Sequence, residues 1–325
     1  MDPFSEILSG VKLTGAVFFT AEFSAPWGVA TPASHPGPGT GPRAPHLLLY
    51  HMVVEGEAMV QVAGGPALEL NAGDIVIVPN GHAHNMSSKG APRPFLNYAI
   101  VEAKVQAGDL SPLRAGGGGA TSRLVCGYLA CNPDLSRPIL DALPPVFKVN
   151  IRADASGHWL ESSILHLVEV AGSGHAGSQA MLAKLSEALV IDALRRYVEQ
   201  LPERRRGWLT GVCDPVVGRS LSLLHSRVAQ PWTVATLAAE VGISRSALVE
   251  RFSRHLAEPP MTYLTRWRLQ LAARSLAGTS CGVAEIAAQV GYESEAAFNR
   301  AFKREFGEPP GRYRTQQRAP LPKSV

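Results

Sequence analysis

The chain has 325 residues, 46% hydrophobic and 18% charged, enough for about two domains and too apolar for bulk disorder. No apolar run approaches the ~18 residues a membrane helix needs, and the acidic start MDPFSEILSG lacks the basic region of a secretory leader, so a cytoplasmic protein is expected. The net charge of +4 is unevenly divided: residues 213–325 hold 15 Lys and Arg against 9 Asp and Glu, a balance of +6, whereas residues 1–212 hold 16 against 18, a balance of −2. A small basic part behind a larger, slightly acidic one fits a nucleic-acid-binding module attached to something else.

In chain order, residues 11–30 read as short strands, and TPASHPGPGTGPRAP (31–45) as a loop dense in Pro and Gly. From residue 46 strands and turns alternate: HLLLYHMVVEGEAMVQV, the turn AGGP, ALEL, the turn NAGD, IVIVPNGHAH, then RPFLNYAIVEA as a further strand. Short β-rich runs broken by Gly, Asn and Asp suggest a small antiparallel barrel or sandwich. Another strand region, TSRLVCGYLAC, follows the glycine-rich stretch Ala115–Ala120.

The period becomes helical from about Gly157. One helix is expected near 157–171, broken by GSGHAGS, and a second over 178–201. In the second, Leu182, Leu185, Leu189, Leu194, Val198 and Leu201 recur at spacings of three to five, an apolar stripe that serves either a second copy of the chain or its own barrel. Pro202 and the basic run Arg204–Arg206 look like the edge of a linker.

The four cysteines, Cys126, Cys131, Cys213 and Cys281, form no C-x-x-C pair, which leaves a zinc ribbon or thioredoxin-type site unsupported and fits a reducing compartment. Cys126 and Cys131 lie an odd number of residues apart on one expected strand, so their side chains face opposite ways and an intrachain bridge is disfavoured.

The C-terminal part repeats itself. VATLAAEVG (234–242) matches VAEIAAQVG (283–291), and EPPMTY (258–263) matches EPPGRY (308–313). Each copy reads as a helix, a glycine stop, a turn and a second helix. Gly242 and Gly291 sit where a helix end needs a left-handed residue, and Ser244 and Ser294 can cap the helix that follows. Leu248, Phe252 and Leu256 in the first copy, and Phe298, Phe302 and Phe306 in the second, should face the core. The opposite face then carries Ser246, Glu250 and Ser253 in one copy and Ala296, Arg300 and Lys303 in the other, with Asn299 and Arg304 at its edge. This is a helix-turn-helix used twice, over 234–256 and 283–306.

On these residues, above all AEIAAQVGYESEAAFNRAFKREFGEPPGRYR (284–314), residues 214–315 resemble the DNA-binding domain of the AraC/XylS family of bacterial transcription regulators. The resemblance implies double-stranded DNA as partner, met by Arg245, Ser246, Glu250 and Ser253 in the first unit and by Glu295, Ala296, Asn299, Arg300, Lys303 and Arg304 in the second. Arg300 stands where the family's second recognition helix presents a base-reading residue and can donate two hydrogen bonds to guanine; Lys303 and Arg304 suit phosphates. Glu250 occupies the matching position of the first unit, where the family commonly presents a cation or amide; it repels phosphate but can accept from cytosine N4.

Residues 46–88 resemble a cupin barrel through HMVVEGEAMVQV (51–62) and GDIVIVPNGHAH (73–84), the latter fitting G-x5-P-x-G-x2-H at Gly73, Pro79, Gly81 and His84. Aligned with the first motif of metal-binding cupins, Leu49 takes the place of the metal-binding glutamate, so no metal or other cofactor is assigned. His46, His51, His82 and His84 remain a candidate effector site, open between a metal, an organic-ligand pocket and strand-end residues that cap loops. Trp27 reads as an aromatic wall of such a pocket or as core, and Cys126 as a redox-responsive thiol or a buried inert one.

The sequence therefore leads us to expect an α+β protein. Residues 1–205 form a cupin-like antiparallel β-barrel with dimerisation helices, and residues 214–315 an all-α tandem helix-turn-helix domain. The implied function is sequence-specific transcriptional regulation by a barrel that senses a small molecule or a redox signal. The implied partners are DNA, an effector, a second copy through helix 178–201, and RNA polymerase. The alternatives are a metal-dependent cupin enzyme recruited to DNA by its helical tail, and a nonspecific architectural DNA binder.

Overall fold

A computed structural model describes residues 14–34, 46–90, 96–131, 140, 142–172, 175–201 and 207–318, which form two compact units, 14–201 and 207–318. The first unit is built on ten strands: β1 Thr14–Ser24, β2 Gly28–Thr31, β3 His46–Glu55, β4 Glu57–Val62, β5 Leu68–Asn71, β6 Asp74–Val78, β7 His84–Ser87, β8 Leu113–Gly116, β9 Thr121–Cys131 and β10 Phe147–Asn150. They make a six-stranded sheet, β10-β6-β3-β9-β1-β8, and a four-stranded sheet, β2-β7-β4-β5. Every pairing is antiparallel except β1 with β8.

The two sheets differ in what covers them. In β4 burial alternates, so the smaller sheet has one face on the core and one toward water. In β3 the run Leu48–Val53 is buried throughout. One set of alternate residues joins a core shared with the other sheet: Val53 of β3, Ala21 and Phe23 of β1, Leu124 of β9, with Val60 and Met86 opposite. The other set faces helices. Tyr50 donates to Ser186 Oγ (3.1 Å), whose own hydrogen goes to the Leu182 carbonyl (3.0 Å). A strand covered on both sides must be apolar on both, which is why HLLLYHMVV does not alternate. The motif GDIVIVPNG makes the expected turn and strand: Gly73 has φ +88, β6 is wholly buried, and Gly81 has φ +57 just beyond the strand end.

One expectation fails. RPFLNYAIVEA is not a strand where it is described; it runs into helix α1, Tyr98–Gln106, and residues 93–95 lie outside the described part. Asn97 accepts a hydrogen bond from the Ala99 amide, a side-chain cap that starts the helix. Val101 is buried in the barrel core, with Tyr98 and Val105 packed beside it at helical spacing. The apolar content that suggested a strand serves one helix face.

After β10 come α2, Ala155–Gly172, and α3, Ser178–Glu199, separated at the expected glycine-rich break, with Gly177 at φ +84. In α3, Leu182, Leu189, Leu194 and Val198 of the apolar stripe are buried within the chain itself, where the helix packs on α2, β1 and β10. Burying each such side chain favours folding by about 1.5–3 kcal/mol. Arg196, also buried, is held by Asp192 (2.6 Å) and Asp154 (2.7 Å).

The second unit is all helical: α4 Trp208–Cys213, α5 Pro215–Ser226, α6 Val234–Glu240, α7 Arg245–Leu256, α8 Pro260–Gly278, α9 Val283–Gln289, α10 Glu295–Phe306 and α11 Pro310–Arg318. Asp214 caps α5 by accepting from the Val216 and Val217 amides, with Pro215 in the first helical turn. A reciprocal Thr233–Thr236 box caps α6, and Ser244 and Ser294 cap α7 and α10 as expected. Helix α8 belongs to both halves: Tyr263 meets Phe252 of α7, while Leu269, Ala272, Ala273 and Leu276 meet Phe298 and Phe302 of α10. At about 28 Å for its 19 residues, α8 is close to the separation of successive major grooves, about 34 Å.

Candidate functional site

The larger sheet and α1 enclose a cavity of about 300 Å³ inside the first unit. Strand register explains its lining. Phe19, Cys126 and His51 are consecutive partners across β1, β9 and β3, and Tyr128 pairs with Leu49. The next inward residue of β9 is Leu124. Trp27 and Val29 add to the wall, and α1 closes it with Tyr98, Val101 and Val105. Among the described residues Glu102 is the one carboxylate in the lining, and it is exposed. A wider cleft of about 550 Å³ in the same unit is more polar, but its Glu22 is already engaged by Arg114 and Arg123.

The four expected histidines do not converge on one point. His46 donates from Nε2 to the Pro79 carbonyl (2.8 Å), and half-buried His82 contributes its backbone carbonyl. His51 and His84 do meet, Nε2 to Nε2 at 2.9 Å, and are only 7% and 2% exposed. Their tautomers follow from one carbonyl. His82 O can only accept, so His84 Nδ1 donates to it (2.8 Å) and the neutral His84 ring keeps a lone pair on Nε2. His51 must then donate from Nε2, which leaves its Nδ1 as an acceptor. That Nδ1 is buried without a partner, and so is the Trp27 Nε1–H donor on the same cavity wall. Burial pushes the pKa of both imidazoles down, His51 the further, so the pair is neutral at pH 7. Among the described residues no three His, Cys, Asp or Glu side chains are grouped as a metal site requires.

Trp27 is both alternatives at once, a core residue whose ring lies 4.8 Å from that of Phe23 and a wall of the cavity. Cys126 lines the cavity too, but burial pushes its thiol pKa up, away from the thiolate that redox chemistry needs. Cys131 is also buried and its thiol donates to the His46 carbonyl. The lining residues missed in the sequence, Phe19, Phe23, Leu124 and the α1 set, had a usable signal: period two on the strands, and the Asn97 cap ahead of residues 98, 101 and 105.

In the second unit, α7 and α10 carry the residues expected to meet DNA. Arg245, Ser246 and Glu250 are exposed and Ser253 is half-buried; Glu295, Ala296, Arg300, Lys303 and Arg304 are exposed and Asn299 is half-buried. The turn before α10 is tightly seated. Gly291 has φ +82, and a Cβ there would lie 2.8 Å from the Ala229 backbone and 2.7 Å from the Arg268 guanidinium. That guanidinium is itself fixed by the Val228 and Gln230 carbonyls. Glycine is thus required for both its conformation and its lack of a side chain.

Residues 2–199 match a cupin family model, and residues 237–316 match a helix-turn-helix domain model. The chain is 30% identical over 98% of its length to a putative AraC-like transcription regulator of Streptomyces lividans, covering 100% of that protein. It is 26% identical over 97% of its length to the HTH-type transcriptional regulator AlkR of Acinetobacter baylyi, covering 100% of it. Among solved structures, the DNA-binding domain of AdpA in complex with a target DNA aligns with 32% of this chain and 94% of its own at 28% identity, with a TM-score of 0.31.

Proposed function

The chain belongs to the AraC-like transcription regulators, and from that premise we propose that its cupin unit holds a small effector in the interior cavity while α10 carries most of the sequence-specific contact with DNA. The observation that supports this division is the state of the charges. Arg300 and Lys303 on α10 are exposed and make no ion pair among the described residues. On α7, Glu250 is paired with Arg254 (2.6 Å) and Arg251 with Asp214 (2.8 Å), which leaves Arg245 at the helix start as its exposed cation without an ion pair among the described residues. In this reading Arg300 reads a guanine, Lys303 and Arg304 hold phosphates, and Glu250 selects against wrong sites.

The protein acts in the cytoplasm, where its DNA lies, and binds as a homodimer. The α3 stripe is already buried inside the chain, so the dimer contact uses what is left exposed on the two helices, Met181 and Ile191 of α3 with Trp159 of α2. Effector binding shifts the population between DNA-competent and DNA-incompetent states.

The test is binding of the full chain to DNA from its own genomic neighbourhood, at stated salt and with scrambled competitor. Expected is a preference for one neighbouring segment that Arg300→Ala weakens more than it weakens binding to scrambled DNA. Equal losses on both would remove the base-reading role.

A further inference from the structure

Resting on the reading of the cavity as the effector site, we propose that the effector is an uncharged molecule with an apolar body and a hydrogen-bond-donating head, a hydroxyl in the simplest case, which donates to His51 Nδ1.

The first support is the wall. Phe19, Phe23, Leu49, Val101 and Leu124 make it apolar, and aromatic Trp27 adjoins Phe23. A volume of about 300 Å³ is at the small end for ligand pockets. The second support is charge. Among the described residues no Lys or Arg lines the cavity, and Glu102 is the one charged side chain in its lining. A carboxylate there would be taken from water with no cation among the described lining residues and with a like charge nearby, which disfavours it. The His51–His84 pair does not supply the missing cation, because burial keeps both rings neutral.

The third support is polarity of a definite sense. The chain of donors that starts at the His82 carbonyl ends at His51 Nδ1 as a lone pair, not as an N–H. A pure hydrocarbon, or a head that only accepts, leaves this buried acceptor unanswered. Trp27 Nε1–H on the same wall is a second buried group without a partner, and a hydroxyl can accept as well as donate.

The probes share one body and differ at the head: 4-propylphenol donates and accepts, 4-propylanisole only accepts, propylbenzene does neither, and 4-propylbenzoate is anionic. Calorimetric titration into the full-length protein should rank the phenol about three- to tenfold above the anisole, with the benzoate weakest. His51→Phe should remove the phenol's advantage over the anisole. Leu124→Trp, which puts a larger ring into the cavity, should weaken binding of all neutral probes.

Phenol and anisole of equal affinity, or a benzoate that binds best, would overturn the assignment of the head while leaving the cavity as the site. Failure of every probe to bind, or binding indifferent to Leu124→Trp, would overturn the cavity reading and this inference with it. The ranking in the unsubstituted protein decides the matter even where a variant does not fold.

Discussion

The two helix-turn-helix units have the same skeleton and treat their charges in opposite ways. In the first, three of the ionised groups of α7 are paired, Arg251 with Asp214, the residue that caps α5, and Glu250 with Arg254 one turn on, and only Arg245 at the helix start is exposed with no ion pair among the described residues. In the second, Arg300 and Lys303 extend from α10 with no ion-pair partner among the described residues. The +6 of the C-terminal part therefore locates the DNA-binding region but does not say which cations are free to meet DNA. Beneath the surface the units also differ. The first packs a half-buried histidine, with His225 donating or accepting at the Tyr263 hydroxyl (2.8 Å) and stacked 4.1 Å from Trp267. The second packs Phe298, Phe302, Phe306 and Tyr313 edge to face and tilted against one another.

The largest effects should be alike in the two units. Phe252 and Phe302 are both fully buried, and truncating either to alanine should cost about 3–5 kcal/mol in denaturant unfolding. A loss below about 1 kcal/mol at Phe252 would mean that the units are not equally packed.

The surfaces should then separate them. Arg300→Ala should lose about 1–3 kcal/mol on the cognate site, mostly at one base pair, whereas Glu250→Ala should change affinity by less. The comparison breaks if the two losses are equal in a competition assay.

Acid should weaken the first unit more. Burial pushes the pKa of His225 down to about 3, while an unfolded histidine titrates near 6.5. Between those values the unfolded chain binds the extra proton, so this group's contribution to stability falls as pH falls, by about 1–2 kcal/mol from pH 6.5 to 5. His225→Phe, which keeps a ring on Trp267, should flatten that slope in thermal unfolding measured across the same range.

The smallest effect concerns helix ends. Helix α10 stops at Gly307 (φ +77), but α7 stops at Ala257 with φ +60, a conformation that costs a side-chain-bearing residue about 1–2 kcal/mol. Ala257→Gly should raise stability by about 1 kcal/mol, and Gly307→Ala should lower it by a similar amount, read as opposite shifts in midpoint.

Much of this architecture was legible because it depends on local rules. The turn glycines, the serine caps and the core phenylalanines of both units stand where spacing put them, and so do the turn and strand of GDIVIVPNG. What was not legible depends on partners distant in sequence. The stripe of α3 announces an apolar face but not whether a sheet or a second copy covers it; Leu189 and Leu194 turn out to lie inside the chain. Four nearby histidines look like a cluster, yet His46 is drawn off by Pro79 and only the 51–84 pair remains. Helix α1 was misread because half-buried apolar residues suit either period, and the Asn97 cap is a single-residue signal. That error hid one wall of the cavity.

Consider finally Tyr50 and His51. They are neighbours along β3 and point to opposite sides of the sheet, His51 into the cavity and Tyr50 to Ser186 of α3. The sheet is thus a thin partition, like a drumhead with a cavity behind it and a helix resting on its front. Any displacement of the His51 imidazole would pull on the peptide unit it shares with Tyr50, and so on the bond that ties the sheet to the helical layer.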